Sequence, residues 1–158
     1  MVSSRRLPFV AFLVAVATVI AAGCGGKAPP IYPITGKVML GGKPHNRLLM
    51  YFRPADGKVT EFTIAVGETD KDGNLQVRSS SGEGLAAGEY KVTFSAPVSK
   101  AGESFGASDK PDEQKGAVVI ERVPPPYDDK TSQDTTPVRF TVKAGEPNVF
   151  EFDVPVKK

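Results

Sequence analysis

The chain has 158 residues, with 20 lysines and arginines against 18 aspartates and glutamates. Arg5 and Arg6 lie within a first 23 residues that hold no carboxylate, so the remaining 135 residues balance 18 charges of each sign. That balance excludes the basic footprint of a nucleic-acid partner, and a remainder of this size suits one domain with its own core.

Taken in chain order, the first element is an export signal. Two arginines, the apolar run Leu7–Ala22 and the small residues Ala21-Ala22-Gly23 precede Cys24, the chain's single cysteine. The 16-residue run is short for a bilayer span, which needs about 20, and it contains Pro8. Ala21-Ala22-Gly23-Cys24 resembles the bacterial lipobox, whose cysteine receives a diacylglyceryl thioether and becomes the mature N-terminus. The resemblance implies a signal peptide over residues 1–23, lipidation of Cys24, and a membrane-anchored lipoprotein of the cell envelope, on the outer membrane or facing the periplasm. The twin arginines leave both the general and the twin-arginine export routes open. With Cys24 taken by lipid, no thiol remains for a disulfide, for cysteine catalysis or for a thiolate metal site. Residues 24–33, with Gly25-Gly26 and then Pro29-Pro30, read as a flexible tether whose prolines stiffen it.

From Ile34 the pattern has period two, the signature of half-buried strands. Ile34, Val38 and Leu40 share one face. Leu48, Met50 and Phe52 alternate with Leu49, Tyr51 and Arg53. Further on, Phe62, Ile64 and Val66 are set on one face, as are Leu75 and Val77. Tyr90, Val92 and Phe94 follow, then Val138, Phe140 and Val142, and last Phe150, Phe152 and Val154. Turn residues separate these runs at Gly41-Gly42, Pro54–Gly57, Asp72-Gly73-Asn74 and Ala144–Pro147. The expected fold is all-β, a seven-stranded antiparallel β-sandwich over residues 34–155. Its expected core includes Val38, Met50, Phe52, Ile64, Leu75, Tyr90, Val92, Phe140 and Phe152. The rhythm breaks between Pro97 and Pro137, where only Ala117–Ile120 reads as a strand. The Gly-, Ser- and charge-rich Ser99–Lys115 makes an insertion over about 97–123.

Thr35-Gly36-Lys37-Val38, Gly42-Lys43-Pro44 and Met50-Tyr51-Phe52-Arg53-Pro54, in that order, resemble the opening of the carboxypeptidase regulatory-like, transthyretin-like (prealbumin-like) domain. Thr69–Leu75 looks like the family's inter-strand turn, and Leu85–Val92 is similar to its strand-opening segment. Pro126–Ser132 looks like the bacterial lipoprotein branch of the group. The resemblance covers about residues 34–155. His45-Asn46-Arg47-Leu48 departs from the small residues usual after the Pro44 turn, and the Ser99–Lys115 insertion is longer than usual. The resemblance implies a sandwich that carries no catalysis of its own.

The residues themselves hold little chemistry. A Ser-His-Asp triad would have to use His45, the only histidine, which lies in a turn with no serine nearby in sequence. One histidine and no thiol do not make a zinc site. The hydroxyisourate hydrolase relative uses several histidines and ends in Tyr-Arg-Gly-Ser, whereas this chain ends Val154-Pro155-Val156-Lys157-Lys158. Asp70-Lys71-Asp72-Gly73-Asn74 has the look of a calcium loop. Six residues past Gly73, however, stands Ser79 in place of the bidentate glutamate, so a turn is the better reading. A calcium ion held with Glu68 or Glu83 remains as a lesser alternative. Tyr32, Tyr51 and Tyr127 are the candidate stacking platforms for a sugar. The expectation is therefore a non-enzymatic, monomeric envelope module, without a cofactor or metal, acting in structure or in binding envelope proteins or glycans. Its alternative is a weak carbohydrate or calcium site at the long loop, with Tyr127, Asp128 and Asp129 as the candidate ligand-binding residues.

Overall fold

The computed structural model describes residues 27–109 and 119–157. The expected signal peptide and Cys24 lie outside the described residues, as do the middle of the expected insertion and the Ala117-Val118 half of its expected strand. The fold is all-β, and there is no helix among the described residues. Each of the seven alternating runs contributes strand residues, cut into shorter pieces by bends. The first run is split into β1 (Ile31–Tyr32), β2 (Ile34–Thr35) and β3 (Val38–Leu40), with a short β4 (Lys43–Pro44) behind it. The middle of the chain supplies β5 (Leu49–Pro54), β6 (Ala65–Thr69), β7 (Leu75–Ser79), β8 (Gly82–Glu83), β9 (Leu85–Ala86) and β10 (Gly88–Ser95). Then come β11 (Pro97–Val98), β12 (Ile120–Glu121), β13 (Arg139–Val142), β14 (Asn148–Val149) and β15 (Phe152–Val154).

The main sheet is antiparallel with the order β13-β10-β5-β6-β7-β8. The second layer is built from the two ends of the chain: β14 lies parallel to β2 and β15 parallel to β3, with β4 completing the latter sheet. The N-terminal run is also tied to β7, since Val38 donates to Gly73 O at 2.9 Å and Leu75 donates to Gly36 O at 3.0 Å. Together these layers make a sandwich-like body with the apolar side chains between them. Gly36 permits the closest approach. Its φ is +144°, and a Cβ there would stand 2.0 Å from Phe150 O. The C-terminal strand therefore passes directly over a position where only glycine fits.

Val38, Met50, Phe52, Leu75, Tyr90 and Val92 are buried as the alternation requires, and Phe140 and Phe152 pack against the cluster at its edge. Ile64 is a correction: it is 37% exposed and outside the core. The pairing register explains the reversal. Phe52 lies opposite Ala65 and Met50 opposite Gly67, so the inward face of β6 is Ala65, Gly67 and Thr69. These residues are small because Phe52, Met50 and Leu75 already fill the space above them, and a Cβ on Gly67 would come within 2.9 Å of Leu75 Cδ1. The sequence puts its larger residues, Ile64 and Val66, on the outer side. Ile31 and Tyr32, within the stretch expected as a tether, pair with Ala86 and Leu85.

Truncating Phe52, which is fully buried, should destabilise the fold by about 3–5 kcal/mol. Ile64→Ala should change urea-unfolding stability by less than about 1 kcal/mol, while Gly36→Ala should be as damaging as the core truncation. Equal losses for Phe52→Ala and Ile64→Ala would contradict the β6 register.

Candidate functional site

The outer face of the main sheet carries the side chains that alternate with the core. From β5 these are Leu49, Tyr51 and Arg53; from β10, Thr93 and Ser95; from β6, Val66 and Glu68. A bare sheet face would expose them. Leu49 is only 5% exposed and Thr93 only 1%, because the chain between β10 and β13 folds back over this face. Beyond Ser95 the strand continues as β11, flanked on one side by β12 and on the other by the return of its own turn. There Val98 bridges to Ser104, and Phe105 donates to Pro97 O at 3.0 Å. The described ends of the insertion are thus a packed finger.

The three candidate ligand residues meet at the root of this cap. Phe94 donates to Tyr127 O at 2.9 Å and Asp129 donates to Phe94 O at 2.8 Å, so the segment runs beside β10 like a short strand. Tyr127 packs its ring 6.1 Å from that of Phe152, at the edge of the core. Asp128 is buried and its carboxylate is held locally. Ser132 Oγ and Thr131 Oγ1 each donate to Oδ1 at 2.8 Å, and the Thr131 N–H donates to Oδ2 at 3.0 Å. Burial by itself would raise the Asp128 pKa, but these donors outweigh it and hold the carboxyl below its usual range.

Asp129 faces β5 and β10. Its Oδ1 accepts from Arg53 Nη1 at 2.7 Å and from Thr93 Oγ1 at 2.6 Å. The Arg53 guanidinium lies 5.4 Å from the centre of the Tyr51 ring, a cation–π arrangement. Burial and then the Asp129 charge push the Tyr51 hydroxyl above its ordinary pKa, partly offset by Arg53. The neighbouring Glu121 is equally committed, accepting from Ser95 Oγ at 2.6 Å and from the Ala96 and Val123 N–H groups at 2.9 Å. Tyr127, Asp128 and Asp129 are therefore brought together as struts that fasten the cap, with both carboxylates facing protein donors.

A second constellation forms at the other end of β5, in the His45–Leu48 segment that precedes it. Arg47 takes a left-handed φ of +63°. Its backbone N–H donates to Thr69 O at 2.8 Å, and the Thr69 hydroxyl donates to His45 O. Its guanidinium reaches Asp109 at 2.7 Å, Glu68 at 3.5 Å and Ser104 O at 3.3 Å. Gly106 N–H and then the Arg47 contact hold the Asp109 carboxyl below its usual pKa. Beside this knot an open groove of about 470 Å³ is lined by Asn46, Val66, Glu68, Gln76, Arg78 and Ala107.

Ser104 is the residue that sequence reasoning missed. Its Oγ lies 3.4 Å from His45 Nε2 although 59 positions separate the two. No local signal could have found it, since the fold-back of the finger makes the contact. Among the described residues no carboxylate hydrogen-bonds the other ring nitrogen, and the nearby Gly106 N–H is spent on Asp109. Burial and then the charge of Arg122 lower the His45 pKa, favouring the neutral ring. The pair is a polar contact without the orienting carboxylate that nucleophile activation uses.

No three histidines, cysteines or carboxylates converge on a metal-sized space among the described residues. Asp70 is a turn cap, with Oδ1 accepting from the Asp72 and Asn74 N–H groups at 2.9 Å. Glu68 turns to Arg47 and to Ala107 N–H, and Glu83 turns to Arg78. Asp70, Glu68 and Glu83 thus point to separate partners. No family model, curated protein or solved structure matches this chain.

The cap has a pH signature. A carboxylate whose folded pKa is depressed adds stability above its unfolded value near 4 and loses it as pH falls through the folded value. Unfolding stability should therefore drop below about pH 4. Asp128→Asn should lower stability at pH 7 and flatten part of that acid limb. An unchanged limb in the variant would show that the Asp128 hydrogen bonds contribute nothing.

Proposed function

We propose that this chain is a non-catalytic, lipid-anchored module of the cell envelope. In this reading its seven long strand runs form a transthyretin-like sandwich displayed at the end of a short tether. The observation that carries the reading is the way the chain enters the fold. β1 begins at Ile31, only seven positions after Cys24, and is fastened by antiparallel pairing to β9. At ~3.1 Å per extended residue the intervening segment reaches about 20 Å. A body fastened so near its anchor stays close to the bilayer with one pole towards it. That pole holds the turns around Asp56–Thr60 and Ala87–Glu89. The finger stands at the far end of β10 and β11, ten residue steps or roughly 33 Å away.

The geometry of the polar residues supports display over catalysis. Asp128, Asp129, Glu121 and Asp109 each hold down a loop through bonds to neighbouring donors. A catalytic carboxylate would need an open face towards substrate.

Intact-mass analysis of the protein from its native membrane should find Cys24 as the N-terminus, carrying a diacylglyceryl thioether, and partitioning into detergent. Cys24→Ser should leave unprocessed precursor. A free thiol at Cys24 or a retained Met1 would refute the anchor. Turnover of hydroxyisourate or an ester, abolished by His45→Ala, would refute the non-catalytic half. Saturable glycan or Ca²⁺ binding lost in Tyr127→Ala would instead favour a ligand site at the cap.

A further inference from the structure

The finger carries a feature that neither the core nor the cap uses. In the β11–β12 pair, Val98 lies directly opposite Ile120, so the two side chains share one face and form an apolar step. Val98 is buried and Ile120 is exposed. Lys100, in the turn that follows β11, and Arg122, directly after β12, line the same groove as that step. The chain's C-terminal segment adds a third cation, since Lys157 donates its N–H to Arg122 O at 2.8 Å. These residues, with Ser99 and Gly102, line an open groove of about 470 Å³. Among the described residues that line it the one acid, Glu121, has both carboxylate oxygens turned to Ser95, Ala96 and Val123. None of the three cations lies within 4.0 Å of a carboxylate among the described residues. In the mature part of a chain whose charges balance, three cations around one apolar step are a local excess. The field of Arg122 reaches His45, whose protonation it disfavours.

We propose that this groove is a binding site for an amphiphilic anion, a phosphate or carboxylate borne on a short apolar chain. Lys100, Arg122 and Lys157 engage the charged group, and the Val98–Ile120 step receives the apolar chain. Arg122 suits the planar, two-point recognition of such an oxyanion, and the lysines add compact charge. The groove lies at the pole opposite the tether, so an anchored molecule presents it away from its own bilayer. The site does not depend on the anchor, because β11, β12 and the C-terminal segment build it without the N-terminus.

The test uses the full chain in a neutral maltoside detergent, titrated with hexyl phosphate, hexanoate, inorganic phosphate and hexanol by calorimetry and amide NMR. Hexyl phosphate and hexanoate should bind saturably and shift the amides of Val98–Gly102 and Ile120–Arg122. Inorganic phosphate and hexanol should each bind roughly tenfold or more weakly, and added salt should weaken the anions. Arg122→Glu and Lys157→Glu should each reduce hexyl phosphate binding by roughly tenfold or more, whereas Lys58→Glu at the opposite pole should not. A circular dichroism spectrum matching the parent shows that each variant is folded. If inorganic phosphate binds as tightly as hexyl phosphate, the apolar half is wrong. Absence of saturable binding by any probe, or binding unchanged in both groove variants, overturns the site.

Discussion

Phe150 stands where the rings of both layers meet, and the rest of the packing is arranged around it. Its ring centre lies 5.2 Å from Phe140 and 5.8 Å from Phe52, both edge-on, and 6.4 Å and 6.3 Å from Phe94 and Phe152 in stacked geometry. Phe52, Phe94 and Phe140 come from the main sheet, whereas Phe152 opens β15 and Phe150 lies in the link between β14 and β15. Edge and offset contacts of this kind add to the burial of large apolar surface, which is the main favourable term in a body without a disulfide. The constraint reaches the backbone as well. Phe150 donates to Thr35 O at 2.8 Å, and its own carbonyl passes over Gly36. The aromatic cluster can form only if the two ends of the chain lie parallel and Gly36 has no side chain.

The outer face of the main sheet obeys a different rule. It holds Tyr51, Arg53, Thr93 and Glu68, groups that cannot be covered without partners. The segment between β10 and β13 covers them and supplies those partners, Asp129 to Arg53 and Thr93, and the Ala107 N–H to Glu68. No buried side-chain polar atom among the described residues is left without a hydrogen bond. The insertion therefore completes the sheet where it is described, and its charged residues act in part as internal fasteners.

Two poles follow from this construction. The strands of the main sheet run between β1, where the described chain enters the sandwich-like body, and the finger at β11 and β12, so the two are separated by the length of a strand. The charges of residues 24–158 balance, yet Lys100, Arg122 and Lys157 gather at the far pole, whereas near the entry Asp56 and Glu89 stand with Lys58. Uneven placement of equal charges gives a neutral molecule local fields that net charge does not report.

The sequence by itself determined the all-β class and the inward residues of β5, β7, β10 and β13. Alternation is a local property, and each of these strands carries large apolar residues on one side only. It also determined the Asp70–Asn74 turn, because an aspartate capping its own following amides needs no distant partner. Tertiary structure decided the rest. The phase of β6 was set by its register against Phe52 and Met50, which places small residues inward and makes its local apolar pattern misleading. Tyr127, Asp128 and Asp129 were legible as a cluster, but their use as struts depended on Phe152, Arg53 and Thr93 arriving from other strands. The approach of Ser104 to His45, the parallel pairing of the chain's two ends and the gathering of Lys157 beside Arg122 are likewise contacts between distant segments. Periodicity records which face of a strand avoids water, whereas the partner and the register are fixed by the packing of all strands at once.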